Sequence, residues 1–266
     1  MTHPIRVGRI PYLNCALFFH EMEAHPGIRL APLVPSALSA AATEGRVDAG
    51  PVPLVDTWEL ESSYAPLGDF CISTTAKARS VLLFSKRPFE ELHGGEIGIT
   101  GQSSTSVRLL KVMLARVWRV RPERFTGVDP RGNDAYLLIG DQALLERRGT
   151  QDHPHVADLG EVWSQWTGLP FVFARWVAHR NLAAPAREEL CAYLEGTLER
   201  GWAQLDQIAE ARAADLHMTP GEVREYLEGF RFRATAAEHE AMARFRELDT
   251  SVRGVHAAIA EDGVKR

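Results

Sequence analysis

The sequence predicts an α/β protein of two lobes, and three observations carry that prediction. Strand-like runs ending in Gly, Pro, Asn or hydroxyl residues open directly into helical stretches at three places. Two apolar strands, Ser80–Ser85 and Phe171–Val177, bracket the middle of the chain. Beyond the second, the pattern is helical. Alternation of strand and helix argues for a parallel or mixed sheet covered by helices, and 266 residues are enough for two cores.

The first strand is Arg6–Arg9, and its Gly/Pro/Asn turn leads into a helix over Asn14–Met22. Strands Ile28–Leu33 and Asp48–Gly50 alternate with helices Ser36–Glu44 and Leu54–Leu60, Ser36 being placed to cap the former. The second section opens at Ser80. There Ile97–Thr100 runs through Gly101-Gln102-Ser103-Ser104 into an amphipathic helix over Val107–Trp118. Leu137-Leu138-Ile139 then enters a helix at Gly140-Asp141. Pro185 to about Arg212 reads as one long helix, followed by Pro220–Phe230 and Thr235–Val252. Helices that trail an α/β core pack back on an earlier lobe. The expected division is therefore 1–78 with 178–266 as lobe one and 79–177 as lobe two, with a ligand cleft between two chain crossings.

Composition excludes several functions. Hydrophobic residues make up 45% and charged residues 24%, and the net charge of −5 supplies no basic footprint for nucleic acid or an anionic membrane. No run approaches the roughly 18 apolar residues of a membrane span. The start lacks the basic and apolar regions of a secretory signal, so a cytoplasmic protein is expected. Cys15, Cys71 and Cys191 are widely spaced, which argues against a disulfide framework or a Cys-x-x-Cys zinc site.

The candidate binding residues sit where strands enter helices. A helix start carries unpaired N–H groups and a partial positive charge, and hydroxyls add donors, so Ser103-Ser104-Thr105-Ser106 suits a carboxylate. Simple helix capping by Ser104 or Thr105, with the other hydroxyls idle, is an equally good reading. Asn14 and Asp141 have that double reading too, and Tyr12 reads as core with its hydroxyl at the edge. Arg9 and Arg79 are placed at a lobe edge, either as carboxylate ligands or in surface ion pairs. His153-Pro154-His155 has no partner at metal-ligand spacing. The chain has no P-loop ending, dinucleotide glycine fingerprint, nucleophile elbow or His-Glu-x-x-His. No metal and no cofactor are expected. The residues alone describe a two-lobed protein that binds a small acid.

An ordered set of segments adds to this. It comprises Gly8-Arg9-Ile10-Pro11-Tyr12-Leu13-Asn14, Val34-Pro35-Ser36-Ala37-Leu38, Cys71-Ile72-Ser73, Arg79–Ser85, Ser104-Thr105-Ser106-Val107, Leu138-Ile139-Gly140-Asp141, Asp158-Leu159-Gly160 and Trp166–Ala174. Together they resemble the menaquinone biosynthesis family that includes chorismate dehydratase of the futalosine pathway. The resemblance implies a type 2 periplasmic-binding-protein-like fold, with the C-terminal helices packed on lobe one. It also implies a lyase that removes water from chorismate. By the same resemblance, Asn14 and Ser80 lie near the reacting centre. Ser104, Thr105 and Ser106 receive a carboxylate, while Ser36, Gly140 and Asp141 line the cleft. No nucleic acid or membrane partner is implied. The sister enzyme that makes 1,4-dihydroxy-6-naphthoate is a weaker match, since its Ser-Pro-Cys-Pro-Asn-Asp start is replaced here by Ile10–Asn14. A solute-binding protein or sensor without catalysis shares the fold and is the rival reading.

Overall fold

The computed structural model describes residues 4–22, 25–256 and 260–262. The chain divides into two compact units, Met1–Ser73 with Phe173–Ala234, and Thr74–Val172 with Thr235–Arg266. Each is built on a six-stranded sheet.

In the first unit, β1 (Ile5–Arg9) runs parallel to both β2 (Ile28–Pro32) and β3 (Ala49–Pro53). The strand β10 (Phe171–His179) lies antiparallel on the other side of β3. With β4 (Tyr64–Thr74) and β11 (Phe230–Arg233) the order is β11-β4-β10-β3-β1-β2. The chain leaves this unit at the end of β4 and returns along β10, two neighbours in the sheet. The short α1 (Ala16–Phe19) packs against α7 (Ala184–Ala203). Its Phe18 sits 5.2 Å from the Trp176 ring and 5.5 Å from Phe232, a buried aromatic core.

Helix starts follow local chemistry. In α2 (Pro35–Thr43) proline takes the first helical position, where its fixed φ and missing N–H cost nothing. Val34 is therefore the cap residue and Ser36 lies inside the first turn, so the expected capping by Ser36 does not occur. The helix α3 (Leu54–Glu59) follows β3 directly. The long helix expected over Pro185–Arg212 is two helices, α7 and α8 (Leu205–Ala213), parted at Gln204. There the backbone leaves helical geometry, and the side chain donates to Glu21 Oε1 at 3.1 Å. Next, α9 (Pro220–Glu228) begins with a Thr219–Glu222 capping box and Pro220 in its first turn.

The second unit's sheet runs β12-β7-β6-β8-β5-β9. Its strands are β5 (Val81–Ser85), β6 (Glu96–Gly98), β7 (Arg124–Thr126), β8 (Ala135–Ile139), β9 (His155–Asp158) and β12 (Ala260–Asp262). β5 is antiparallel to β8 and β9, while β6 is parallel to β7 and β8. Three helices, α4 (Thr105–Arg116), α5 (Gly140–Leu145) and α6 (Leu159–Thr167), leave this unit's loops. The last helix, α10 (Ala236–His256), also belongs here. Phe245 lies against the rings of Trp163 and Phe171 at 5.7 and 4.9 Å. Arg108 Nη1 of α4 is 2.8 Å from the buried Asp249 carboxylate. The expectation that all the trailing helices pack on the first lobe is thus corrected for α10, which carries its apolar face and Asp249 to α4 and α6.

Candidate active site

In the first unit the expected residues follow β1. A strand flanked by parallel neighbours presents its carboxyl end, and in open α/β sheets ligands bind at such ends. After Arg9 the chain passes Ile10-Pro11-Tyr12 and enters a one-turn 3-10 helix, Leu13–Cys15, with Asn14 at its centre. Asn14 is half-buried, and its Oδ1 accepts the Cys15 thiol at 3.4 Å. Tyr12 is buried, and its carbonyl accepts the Cys15 amide at 3.0 Å. Arg9 and Tyr12 share a pocket of about 160 Å³ with Phe19, His20, Ile208 and Arg212. Two arginines thus line the pocket together with aromatic and aliphatic residues. Asn14 and Ser36 are not among its lining residues.

In the second unit Ser80 and Gly140 meet at the segment entering β5. Ser80 is buried, and its hydroxyl donates to the Ala78 carbonyl at 3.3 Å. Its own carbonyl accepts the Gly140 amide at 2.8 Å, which joins Ser80 to the first residue of α5. Gly140 has φ +57°, a left-handed conformation that glycine takes without penalty. Asp141 lies in the first turn of α5 and does not cap it, the cap position being Ile139.

At the start of α4 the four hydroxyl residues divide their roles. Ser103 Oγ accepts the Ser106 amide at 3.2 Å and so does the capping, one residue before the two hydroxyls expected to cap. Ser104 is the residue flanking the helix and makes no side-chain cap bond. Thr105 and Ser106 are buried.

The residue pattern assigns no role to Asp158, which ties the segment before Ser80 to the start of α6. Its Oδ1 accepts from Gly160 N at 2.9 Å and Glu161 N at 3.2 Å, capping α6. The same oxygen accepts from Ala78 N at 3.0 Å, and Oδ2 accepts from Arg79 N at 2.6 Å. Burial pushes the Asp158 carboxyl upward, against four backbone donors that favour its ionised form. Arg79 has φ +58°, a conformation that costs a non-glycine residue ~1–2 kcal/mol. A hydrogen bond to a charged group contributes about 1.5–3 kcal/mol, enough to hold it there. An aspartate ending a strand before an apolar helix is a legible cap signal. Its bonds to amides some eighty residues earlier are not legible.

Among the described residues, no group of three or more His, Cys, Asp and Glu is arranged to hold a metal ion. No described helix is long and apolar enough to cross a membrane.

Comparison with known proteins gives concordant results. Residues 5–250 match a family described as menaquinone biosynthesis. A chorismate dehydratase from Thermus thermophilus is 30% identical over 261 residues, covering 92% of this chain and 94% of the relative. A 1,4-dihydroxy-6-naphtoate synthase from Streptomyces coelicolor is 24% identical over 157 residues, covering 56% of this chain and 52% of that protein. Among solved structures, the periplasmic aliphatic sulphonate binding protein of Escherichia coli superposes with a TM-score of 0.61 at 15% identity, over 97% of this chain and 89% of its own. At that identity the likeness speaks for the fold alone, and it agrees with the periplasmic-binding-protein-like architecture expected.

Proposed function

This chain belongs to the menaquinone biosynthesis family, and from that premise we propose that it is a chorismate dehydratase, a hydro-lyase that converts chorismate to 3-[(1-carboxyvinyl)oxy]benzoate and water. The observation that carries the reading is 30% identity to such an enzyme along nearly the whole of both chains. The shorter and weaker match to the naphthoate synthase favours the dehydratase.

The chemistry follows from the substrate. The proton at C3 is conjugated through a ring double bond to the ring carboxylate, so its removal gives an extended enolate. Expulsion of the C4 hydroxyl then makes the ring aromatic, and the departing hydroxide takes up the proton as water. The substrate's own enolpyruvyl carboxylate serves as the base, which places the burden on orientation rather than on a tuned side-chain pKa. The ring carboxylate, where the enolate charge develops, is held by preorganised donors.

Asn14, presented past the end of β1, hydrogen-bonds the substrate and assists the leaving hydroxyl. Ser80, fixed through Gly140 and the crossing segment, holds a carboxylate or that hydroxyl. Ser104, Thr105 and Ser106 receive a carboxylate at the start of α4, with Gly140, Asp141 and Ser36 contributing lining. Arg9 and Tyr12 supply their pocket's charge and ring to substrate binding. A biosynthetic enzyme of this kind works in the cytoplasm.

The test is to incubate purified protein with chorismate and follow the product by chromatography and mass. A stable aromatic acid lighter by one water supports the reading, and Asn14→Ala should slow its formation about 100-fold. Tight chorismate binding without turnover favours the solute-binding alternative.

A further inference from the structure

We propose that Asp158 is a positioning residue for the dehydration: through Oδ2 it holds Arg79 in its left-handed backbone conformation and thereby fixes Ser80 for the substrate. The inference rests on the chorismate dehydratase reading and on the part given there to Ser80.

Three contacts bind the crossing segment 74–79 to the start of α6. The Asp158 carboxylate takes the amides of Ala78 and Arg79, as described. Lys77 Nζ lies 3.3 Å from Glu161 Oε1. Gly160 lets the two backbones meet, since a Cβ there would stand 3.0 Å from the Ala76 carbonyl oxygen and 3.1 Å from Ala78. Within the segment, the Thr74 hydroxyl donates to the Lys77 carbonyl at 2.8 Å and accepts the Ala76 amide at 3.3 Å. The chain is thus folded into a tight turn and clamped before it reaches Ser80. Helix capping requires only the bonds to Gly160 and Glu161, both made by Oδ1. The bond from Oδ2 to Arg79 lies outside that need. It acts on the residue next to Ser80, whose backbone an L side chain adopts at a cost.

The two oxygens can be separated experimentally. Asp158→Asn keeps an oxygen for the Oδ1 partners and sets an amide NH2 against the Arg79 N–H. Asp158→Ser keeps a helix cap but does not reach the crossing segment. For either folded variant we expect the Arg79 amide to exchange with solvent at least about tenfold faster, with Gly160 and Glu161 still protected. With chorismate, kcat should fall about 10- to 100-fold with KM changed less than about threefold. Glycine adopts φ +58° unaided. In an Arg79→Gly background, Asp158→Asn should therefore cost less than about threefold in kcat.

An unaltered Arg79 amide, a kcat within about twofold of wild type, or an equal loss in both backgrounds overturns the positioning role. Wild-type protein that leaves chorismate unchanged overturns the reaction, and the role with it. Wild-type turnover that Asp158→Asn leaves unimpaired overturns the role alone.

Discussion

The carbonyl of Ser80 accepts the amide of Gly140 at 2.8 Å, so the residue proposed to touch substrate from β5's edge is bonded to the one that starts α5. Gly140 holds φ +57° while making that bond. Replacing it with alanine should lower stability by ~1–2 kcal/mol and should also reduce kcat, because relief of that strain shifts the amide that the Ser80 carbonyl accepts. Urea unfolding and turnover measured on one preparation check both parts.

Asn14→Ala and Ser80→Ala should each lower kcat by about 100-fold, the usual scale for removing a donor aimed at developing charge. Asn14 is half-buried, and the Ser80 hydroxyl donates to the Ala78 carbonyl at a long 3.3 Å, so any loss of stability has to be measured beside the loss of turnover. Circular dichroism melts separate lost chemistry from lost fold.

How much of this was legible in the sequence differs from element to element. β1, α2 and the β8–α5 junction were plain because an apolar run met turn residues at each. β4 was not, because Pro66, Gly68 and Asp69 interrupt its pattern. β11 carries a clear period of two in Phe230-Arg231-Phe232-Arg233, but it follows a helix so closely that Phe230 reads as that helix's end. The Ser36 cap failed because Pro35 fits the first helical position. The resemblance supplied Asn14 and Ser80 as a site. The bonds that hold Ser80 run through backbone amides, which side-chain identity does not reveal.

His153 gives a pH prediction. It is buried, with Nε2 3.2 Å from the Asn133 carbonyl and its ring 4.7 Å from the Tyr136 ring centroid. A carbonyl only accepts, so Nε2 carries the hydrogen, and Nδ1 is buried with no partner among the described residues. Burial holds its pKa below the ordinary histidine value of 6.5. The folded state thus resists protonation that the unfolded chain accepts. This contribution is fully present above the unfolded pKa and is lost as pH falls through 6.5 toward the folded value. Urea midpoints at falling pH should show this loss in the wild type and a smaller one in His153→Gln.

Phe245→Ala should destabilise by about 3–5 kcal/mol, since its ring is buried against Trp163 and Phe171. Asp249→Ala should cost about 3 kcal/mol or less: the carboxylate is buried, but Arg108 and Arg253 keep partial access to water. Thermal unfolding of both variants, followed by circular dichroism, checks the order.

The place of α10 also sets an order of events during synthesis. Arg108 and Asp249 are 141 residues apart along the chain, and between them the polypeptide builds the strands and helices that complete the other unit. The middle of the chain therefore emerges from the ribosome long before the helix that seals its aromatic core. Until translation passes residue 250, Trp163 and Phe171 lack the Phe245 ring that covers them. During that interval the nascent second unit has unsealed apolar surface, the kind that invites chaperones and aggregation.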